Sequence, residues 1–238
     1  GLVGSEMCIR DRARYIDPVC RKCRRIGEKL FLKGNRCYTP KCAIDKHRKP
    51  PGEAQAFSRR RPSDWAVRLR EKQKARLSYG VLEKQFSKYF EMARDANGST
   101  GDILFQLLET RMDNVVYRLS FADSRSQARQ IVNHGHMLLN GKRMDIPSHH
   151  VQVGDVITWK RSANASDDHP DFILSMTADA PRRPVPSWLR MDISTLSGQI
   201  VTMPDPSEIE SEIDPRLIVE FYLRLYFYKL FCQNIQFL

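Results

Sequence analysis

The chain has 238 residues, of which 41% are hydrophobic, enough for one moderate core or two smaller ones. A multi-domain enzyme is therefore not expected. The formal net charge of +11 and a pI near 9.5 indicate a polyanionic partner, because neutralised phosphates release counterions and give strong, salt-sensitive binding.

The positive charge is concentrated in the first third of the chain. Residues 20–76 contain 19 Lys and Arg against 5 Asp and Glu, whereas residues 163–238 contain 6 against 11. A solvated basic face without a ligand is the alternative interpretation. The local excess favours contact with a nucleic acid.

Both ends of the chain are unusual. Residues 1–12, GLVGSEMCIRDR, lack the apolar core of a signal peptide, and we expect an artefactual extension that removes Cys8 from the functional interpretation. Residues 223–238, LRLYFYKLFCQNIQFL, are predicted to be an artefactual tail. The charges of Glu220, Arg224 and Lys229 argue against a membrane span, which needs about 20 apolar residues.

Residues 13–51 are predicted to form a zinc-binding basic arm. Four cysteines follow the spacing C-x2-C-x13-C-x4-C, namely Cys20, Cys23, Cys37 and Cys42. Four thiolates can hold one tetrahedral zinc ion, and neighbouring Lys and Arg favour deprotonation. An iron–sulfur cluster, or unligated or oxidised cysteines, are the alternatives. A full shell of four cysteines leaves no position for a catalytic water, so the ion is expected to be structural.

Residues 52–100 are predicted to form a helical domain that contacts phosphates. Ser63 can cap a helix that begins before Trp65. Basic residues recur along this helix and precede it, and we predict that they bind RNA: Arg59, Arg60, Arg61, Arg68, Arg70, Lys72, Lys74 and Arg76. A second helix is indicated by an apolar stripe from Leu82 to Ala93.

Residues 111–155 carry the most specific pattern, two short helices followed by a hairpin. Ser124 and Gln127 form a capping box that opens a helix, and Gly135 ends it. Asn140-Gly141 favours a type I′ turn. Residues 156–159 are predicted to close the small sheet.

The polar residues of this segment suit phosphates and unpaired base edges. The predicted RNA-binding residues are Arg111, Arg125, Ser126, Arg129, Gln130, His134, His136, Asn140 and Lys142. For His134 and His136 a structural role at the corner between helix and strand stays open. No motif places a nucleophile or paired carboxylates beside them, which disfavours catalysis.

These motifs resemble the RNA-binding domain named after ribosomal protein S4. The resemblance extends over residues 13–222, through PVCRKCRR, LKGNRCYTPKC, RRRPSDWAVRLREKQKARLSYGVLEKQF and LIVEFY, to the bacterial S4 family. It implies an α+β fold with a zinc-stapled N-terminal arm. A helical domain, residues 52–100 completed by 185–222, would carry an inserted RNA-binding domain, residues 101–184, of two helices and a short antiparallel sheet.

The resemblance also implies a function without catalysis. It implies direct binding of small-subunit ribosomal RNA at a five-way junction of the 5′ domain, nucleation of assembly, and contacts with neighbouring ribosomal proteins. A place near the channel where messenger RNA enters, an influence on accuracy, and repression of the chain's own operon are implied as well. The expected location is the cytoplasmic small subunit or an organellar one. An RNA-modifying enzyme with the same module and a zinc-containing DNA-binding regulator are the alternatives.

Overall fold

The computed structural model describes residue 15 and residues 17–52, 61–160, 183–192, 194–205, 208 and 213–235, with side chains through residue 225. The chain divides into two compact units, residues 1–59 and residues 60–238. The predicted extension at residues 1–12 therefore lies outside the described residues, as do Arg59 and Arg60.

The first unit contains one α-helix, α1 (Cys20–Ile26), and a 3-10 helix, Gly34–Tyr38, within its described part. Gly27 ends α1 in the left-handed conformation, and its N–H donates to the Cys23 carbonyl at 2.8 Å. The buried apolar side chains and thiols are Cys23, Ile26, Leu30, Cys37, Cys42 and Ala43. This is a small core, and a unit of this size that buries little apolar surface is only marginally stable by itself.

The second unit contains the remaining described helices. They are α2 (Asp64–Ser78), α3 (Glu83–Asp95), α4 (Thr100–Glu109), α5 (Met112–Arg118), α6 (Arg125–Asn133) and α7 (Pro215–Ile235). The predicted cap of α2 is confirmed, since Ser63 Oγ accepts a hydrogen bond from the Ala66 N–H at 3.3 Å. No helix in the described part of the chain is long and apolar enough to cross a membrane.

One hydrophobic core lies among α2, α3, α4 and α7. The predicted stripe on α3 supplies Phe86, Tyr89, Phe90 and Ala93, all buried. Helix α7 returns to this core, where Tyr222 stacks on Phe90 with ring centroids 4.3 Å apart. Helix α7 continues to Ile235, so most of the predicted tail is helical, and Leu225 packs against the same core.

A second core lies between helices α5 and α6 and a five-stranded sheet. The strands are β1 (Met137–Leu139), β2 (Lys142–Met144), β3 (Val156–Trp159), β4 (Leu189–Asp192) and β5 (Ser197–Ile200). They are antiparallel in the order β2-β1-β3-β5-β4. The mixed helical and antiparallel fold class is therefore confirmed.

Two predicted domain boundaries require correction. Strands β4 and β5 pair with β3, so residues 189–200 complete the sheet of the RNA-binding module and not the helical domain. Helix α4 contributes Leu104, Phe105 and Leu108 to the helical core, so the module begins near residue 110 and not at residue 101. Both errors concern segments whose place is decided by long-range pairing, which local patterns do not encode.

Candidate RNA interface and candidate metal site

Helix α6 presents a short polar face to solvent. Ser124 Oγ accepts from the Gln127 N–H at 3.3 Å, and Gln127 Oε1 accepts from the Asp123 N–H at 2.9 Å, so the capping box closes one residue earlier than its usual pattern. The apolar face buries Ala128, Ile131 and Val132. The exposed side chains are Ser126, Gln130 and Asn133. These are the residues of α6 that can reach a ligand directly.

A Schellman turn carries the chain from α6 into β1. The Gly135 N–H donates to the Val132 carbonyl at 2.8 Å, and the His136 N–H donates to the Ile131 carbonyl at 3.3 Å. Gly135 has φ +71°, a conformation that glycine adopts without strain. The turn leaves His134 exposed and His136 half-buried, with ring centroids 6.0 Å apart.

The hairpin turn after β1 has the predicted type I′ geometry. Asn140 and Gly141 both have positive φ, +50° and +77°. The Asn140 amide serves the fold, because its Nδ2 donates to Asp155 Oδ1 at 2.7 Å and its Oδ1 accepts from the Val156 N–H at 2.9 Å. Lys142 is exposed beside this turn. Asn140 and Lys142 were both predicted to bind RNA. Lys142 is exposed, as such a contact requires, whereas the Asn140 side chain links the hairpin to β3.

Arg125 and Arg129 turn toward the protein. The Arg125 guanidinium lies 4.3 Å from the ring centroid of Tyr117 and 4.9 Å from that of Tyr79, and its Nε donates to Asn114 Oδ1 at 2.8 Å. Arg129 Nη1 lies 3.0 Å from Asp113 Oδ2. Both side chains were predicted to bind RNA, but in this structure they are partly buried and contact tyrosine rings and a buried carboxylate.

We therefore expect Arg125→Ala to destabilise the protein by about 1–2 kcal/mol, the combined size of a cation–π contact and a hydrogen bond. A urea midpoint that shifts at constant slope measures this loss. Gln130→Ala, which alters an exposed side chain on the same helix, is the matched control and should leave the midpoint nearly unchanged. Equal midpoints for the two variants would contradict a packing role for Arg125.

Arg111 lies in the interior. It is 1% exposed, its Nη2 lies 2.6 Å from Asp113 Oδ2, and its Nη1 donates to Tyr89 Oη at 2.7 Å. Burial lowers the pKa of Arg111, but the charge and hydrogen bonds of Asp113 outweigh it and leave the pKa raised. The prediction that Arg111 contacts RNA is corrected, since a side chain this deeply buried and fully paired cannot reach a surface ligand.

A second buried network was missed by the sequence analysis. Glu109 accepts hydrogen bonds from Tyr79 Oη at 2.6 Å, from Asn114 Nδ2 at 2.6 Å, and from Arg118 through Nε at 3.0 Å and Nη2 at 2.6 Å. Burial raises the pKa of Glu109, but the Arg118 charge outweighs it, so the pKa is lowered. A sequence signal existed, namely charged residues embedded in the apolar helical run from residue 104 to residue 119.

The predicted basic face of α2 is only partly present. Arg61 and Arg70 are exposed, whereas Lys72 and Lys74 are 4% and 5% exposed. Lys72 pairs with Glu83 and lies over the ring of Phe221, 5.2 Å from its centroid. Burial lowers the pKa of Lys72, although its hydrogen bond to Glu83 opposes this.

The other two basic residues of α2 are partly buried. Arg68 Nε lies 2.6 Å from Glu220 Oε2, and Arg76 Nε lies 3.4 Å from Glu83 Oε2. The basic residues of α2 therefore do not form one continuous exposed face. Helix α7 covers this side of α2 and supplies the Glu220 carboxylate to Arg68. Arg70 remains the exposed cation of α2 that suits a phosphate.

The four predicted metal ligands lie in the first unit as free thiols. Cys23, Cys37 and Cys42 are buried and Cys20 is partly buried. Burial raises the pKa of the Cys23 thiol, and the nearby Cys37, Cys20 and Cys42 raise it further, so the four groups share one neighbourhood. The backbone N–H of Lys33 donates to Cys37 Sγ at 3.4 Å, a contact that favours a thiolate.

The four cysteines match a metal site in the chemistry of their donor atoms, but not in the geometry of their arrangement. Among the described residues, no three His, Cys, Asp or Glu side chains are drawn together into a coordination site. Four clustered thiols are nevertheless the donor set that structural zinc prefers. An ion would have to draw the sulfur atoms closer than they lie here.

Comparison with known proteins identifies the family of the chain. Residues 14–109 match the family described as ribosomal protein S4/S9 N-terminal domain, and residues 110–157 match the S4 domain. The small ribosomal subunit protein uS4A of Symbiobacterium thermophilum is 51% identical over 212 residues, covering 89% of this chain and 100% of that protein. The chain belongs to the bacterial uS4 family. The uS4 proteins of Halothermothrix orenii and Thermus thermophilus are 48% and 47% identical over 89% of this chain, covering 100% and 99% of those proteins.

The uS4 relationship bears on the alternatives that the sequence left open. These relatives are small ribosomal subunit proteins and not enzymes, which confirms the prediction of a protein without catalysis. It also disfavours the RNA-modifying enzyme and the DNA-binding regulator. The uS4 domain boundary at residues 109 and 110 coincides with the buried network around Glu109 and Arg111.

Proposed function

We propose that this chain is a structural component of the small ribosomal subunit that binds small-subunit ribosomal RNA directly. The observation that carries the proposal is the full-length match to uS4 proteins together with the S4 domain at residues 110–157. The exposed polar face of α6, the His134–His136 turn and Lys142 supply donors for that contact. The net charge of +11 supplies the long-range attraction to RNA.

The contacts divide into two kinds. Exposed cations fix the protein on the phosphate backbone, and Arg61, Arg70 and Lys142 belong to this kind. Uncharged polar groups and imidazoles bind base edges and ribose hydroxyls, and Ser126, Gln130 and His134 belong to this second kind. The buried residues Arg111 and Lys72 act by holding helices in place, Arg111 through Asp113 and Tyr89 and Lys72 through Glu83.

The assembly role follows from the same chemistry. A protein that binds RNA through several exposed groups can fix the relative positions of RNA segments, and early binding would then nucleate assembly. We extend the proposal to contacts with neighbouring ribosomal proteins and with messenger RNA near its point of access to the subunit, where exposed Arg and Lys would influence accuracy. Family resemblance and charge support these roles.

We also propose that Cys20, Cys23, Cys37 and Cys42 hold one structural zinc ion. The ion would supply the cross-link that the small core of the first unit lacks. Support comes from the shared neighbourhood of the four thiols and from the N–H donor at Cys37. A cluster of iron and sulfide is the competing occupant, which an absorption spectrum distinguishes.

A binding experiment with variants of the exposed residues tests the RNA interface. We expect Lys142→Gln to lower the slope of log affinity against log salt by about 0.7–0.9, the loss of one phosphate contact. Gln130→Ala should weaken binding with no change of slope, because an amide releases no counterion. Filter binding of a 5′-domain fragment of small-subunit ribosomal RNA, measured across salt concentrations, gives both quantities.

The matched control is Lys88→Gln, which removes one exposed positive charge from α3. Unchanged affinity and slope for both interface variants would remove this surface from the RNA contact. Sedimentation provides an independent check, since the chain should travel with the small subunit and dissociate only at high salt.

A further inference from the structure

The solvent face of the five-stranded sheet carries a group of basic residues where three strands lie side by side. In the pairing of β1 with β2 and β3, Leu138 is opposite Arg143 and Thr158. The position two residues before Leu138 is His136, which lies next to Lys160, since the Lys160 N–H donates to the His136 carbonyl at 2.8 Å. Because side chains alternate along strands, His136, Arg143 and Lys160 share one face.

This face is open to solvent. The opposite face of the same strands buries Met137, Leu139, Ile157 and Trp159 in the core. Arg143 and Lys160 are exposed, and His136 is half-buried. The three groups therefore lie together at one end of the sheet, beside the turn that ends α6.

The Arg143 guanidinium lies close to Gly135. A Cβ atom at Gly135 would lie 2.6 Å from Arg143 Nη2 and 2.8 Å from Arg143 Cζ, closer than side chains pack. The guanidinium thus lies against the bare backbone of the Schellman turn. This contact brings Arg143 close to the His134–His136 turn, although it belongs to another strand.

Little negative charge compensates these cations. Asp145, the nearest carboxylate on β2, lies 4.0 Å from Arg143 Nη2, and both side chains are more than half exposed. The Asp192 carboxylate on β4 accepts a hydrogen bond from Ser194 Oγ at 2.6 Å. Within the described part of this face, the cations outweigh the carboxylates at the end that holds His136.

We propose that His136, Arg143 and Lys160 form a phosphate-binding cluster that extends the RNA interface from α6 onto the open face of the sheet. The proposal rests on the proposed RNA-binding function and adds Arg143 and Lys160 to it. Arg143 offers a planar fork for a phosphate, Lys160 offers a point charge, and His136 lies between them. The ligand is the RNA backbone, whose successive phosphates suit cations on neighbouring strands.

Phosphate binding at this cluster takes up a proton. Burial lowers the pKa of His136, and the charges of His134, Lys160 and Arg143 lower it further, so His136 is neutral in the free protein at pH 7. A bound phosphate offsets these charges and raises the pKa of His136. The bound state therefore holds more protons than the free state, and affinity increases as the pH falls through the bound pKa.

Charge-removing variants test the cluster. Arg143→Gln and Lys160→Gln should each lower the salt slope for the 5′-domain RNA fragment by about 0.7–0.9, and the double variant by about twice that. Each should weaken binding by roughly tenfold, the size of a charge-assisted hydrogen bond.

The proton linkage has its own measurement. The wild-type protein should bind more tightly at pH 5.5 than at pH 7.5, and His136→Gln should reduce this dependence while Lys88→Gln retains it. Lys88→Gln is the control for loss of charge elsewhere, and circular dichroism confirms that each variant is folded.

Two failures are distinguishable. If the wild-type protein binds the RNA and the Arg143 and Lys160 variants keep its affinity and salt slope, the cluster does not contact RNA and the inference fails. If the wild-type protein itself does not bind, the proposed function fails together with the cluster.

Discussion

Replacement of Arg118 by Met is expected to lower the free energy of unfolding by about 3–5 kcal/mol. Arg118 is 8% exposed and holds both carboxylate oxygens of Glu109, which is 2% exposed. Methionine fills similar volume but leaves a buried carboxylate with only Tyr79 and Asn114 as donors. Urea unfolding at pH 7 measures the loss as a shift of midpoint at constant slope.

The pH dependence gives the same variant a second signature. In the wild-type protein the pKa of Glu109 is lowered, so its stabilisation is present above the unfolded value and is lost as the pH falls through the folded value. Without Arg118, burial raises the pKa of Glu109 above its unfolded value. The variant's deficit relative to the wild-type protein should then shrink as the pH falls from 7 toward about 5, because protonation removes the unpaired charge.

Two controls separate this effect from a general loss of arginine. Arg94→Met disrupts an exposed pair with Asp95 and should cost less than about 1 kcal/mol. Glu109→Gln combined with Arg118→Met removes both charges and should restore part of the stability. A loss for Arg118→Met as small as that for Arg94→Met would show that the buried pair contributes no more than a surface pair.

Local signals predicted the elements on which the RNA interface is proposed. The capping residue Ser124, the stop at Gly135 and the Asn140-Gly141 turn each act within a few residues, and each is present as predicted. The apolar stripe on α3 was equally local. These elements could be predicted because their causes, hydrogen bonds at helix ends and allowed φ values, do not depend on distant parts of the chain.

The direction of charged side chains could not be predicted in the same way. Arg125, Arg129 and Lys72 lie on helix positions that read as polar, yet each faces aromatic rings or carboxylates from another element. A polar position on a helix is exposed only if nothing packs over it, and α7 covers α2 from more than 130 positions away. The same dependence on distant pairing hid the place of β4 and β5 in the sheet.

The spacing of the four cysteines predicted a zinc site, and loss of the zinc should destabilise the first unit most. We expect one zinc ion per chain, and we expect Cys37→Ser to abolish it and unfold residues 17–52 while the second unit stays folded. Structural zinc contributes roughly 10–16 kcal/mol of apparent binding free energy in isolated zinc-finger peptides, far more than a core of Ile26, Leu30 and Ala43 supplies. The helical core and the module core of the second unit contain their own apolar clusters.

Native mass spectrometry measures the bound ion, and hydrogen exchange locates the unfolding. Cys8→Ser is the matched control, since it removes a cysteine outside the quartet and should leave the zinc in place. A chelator should reproduce the effect of Cys37→Ser on the wild-type protein. A visible absorption band from iron and sulfide would show that the site holds an iron–sulfur cluster and not zinc. The contrary outcome is that the amides of residues 17–52 in the wild-type protein exchange with solvent no faster after chelation has removed the zinc than before. That result would show that the four thiols hold this unit together without a metal.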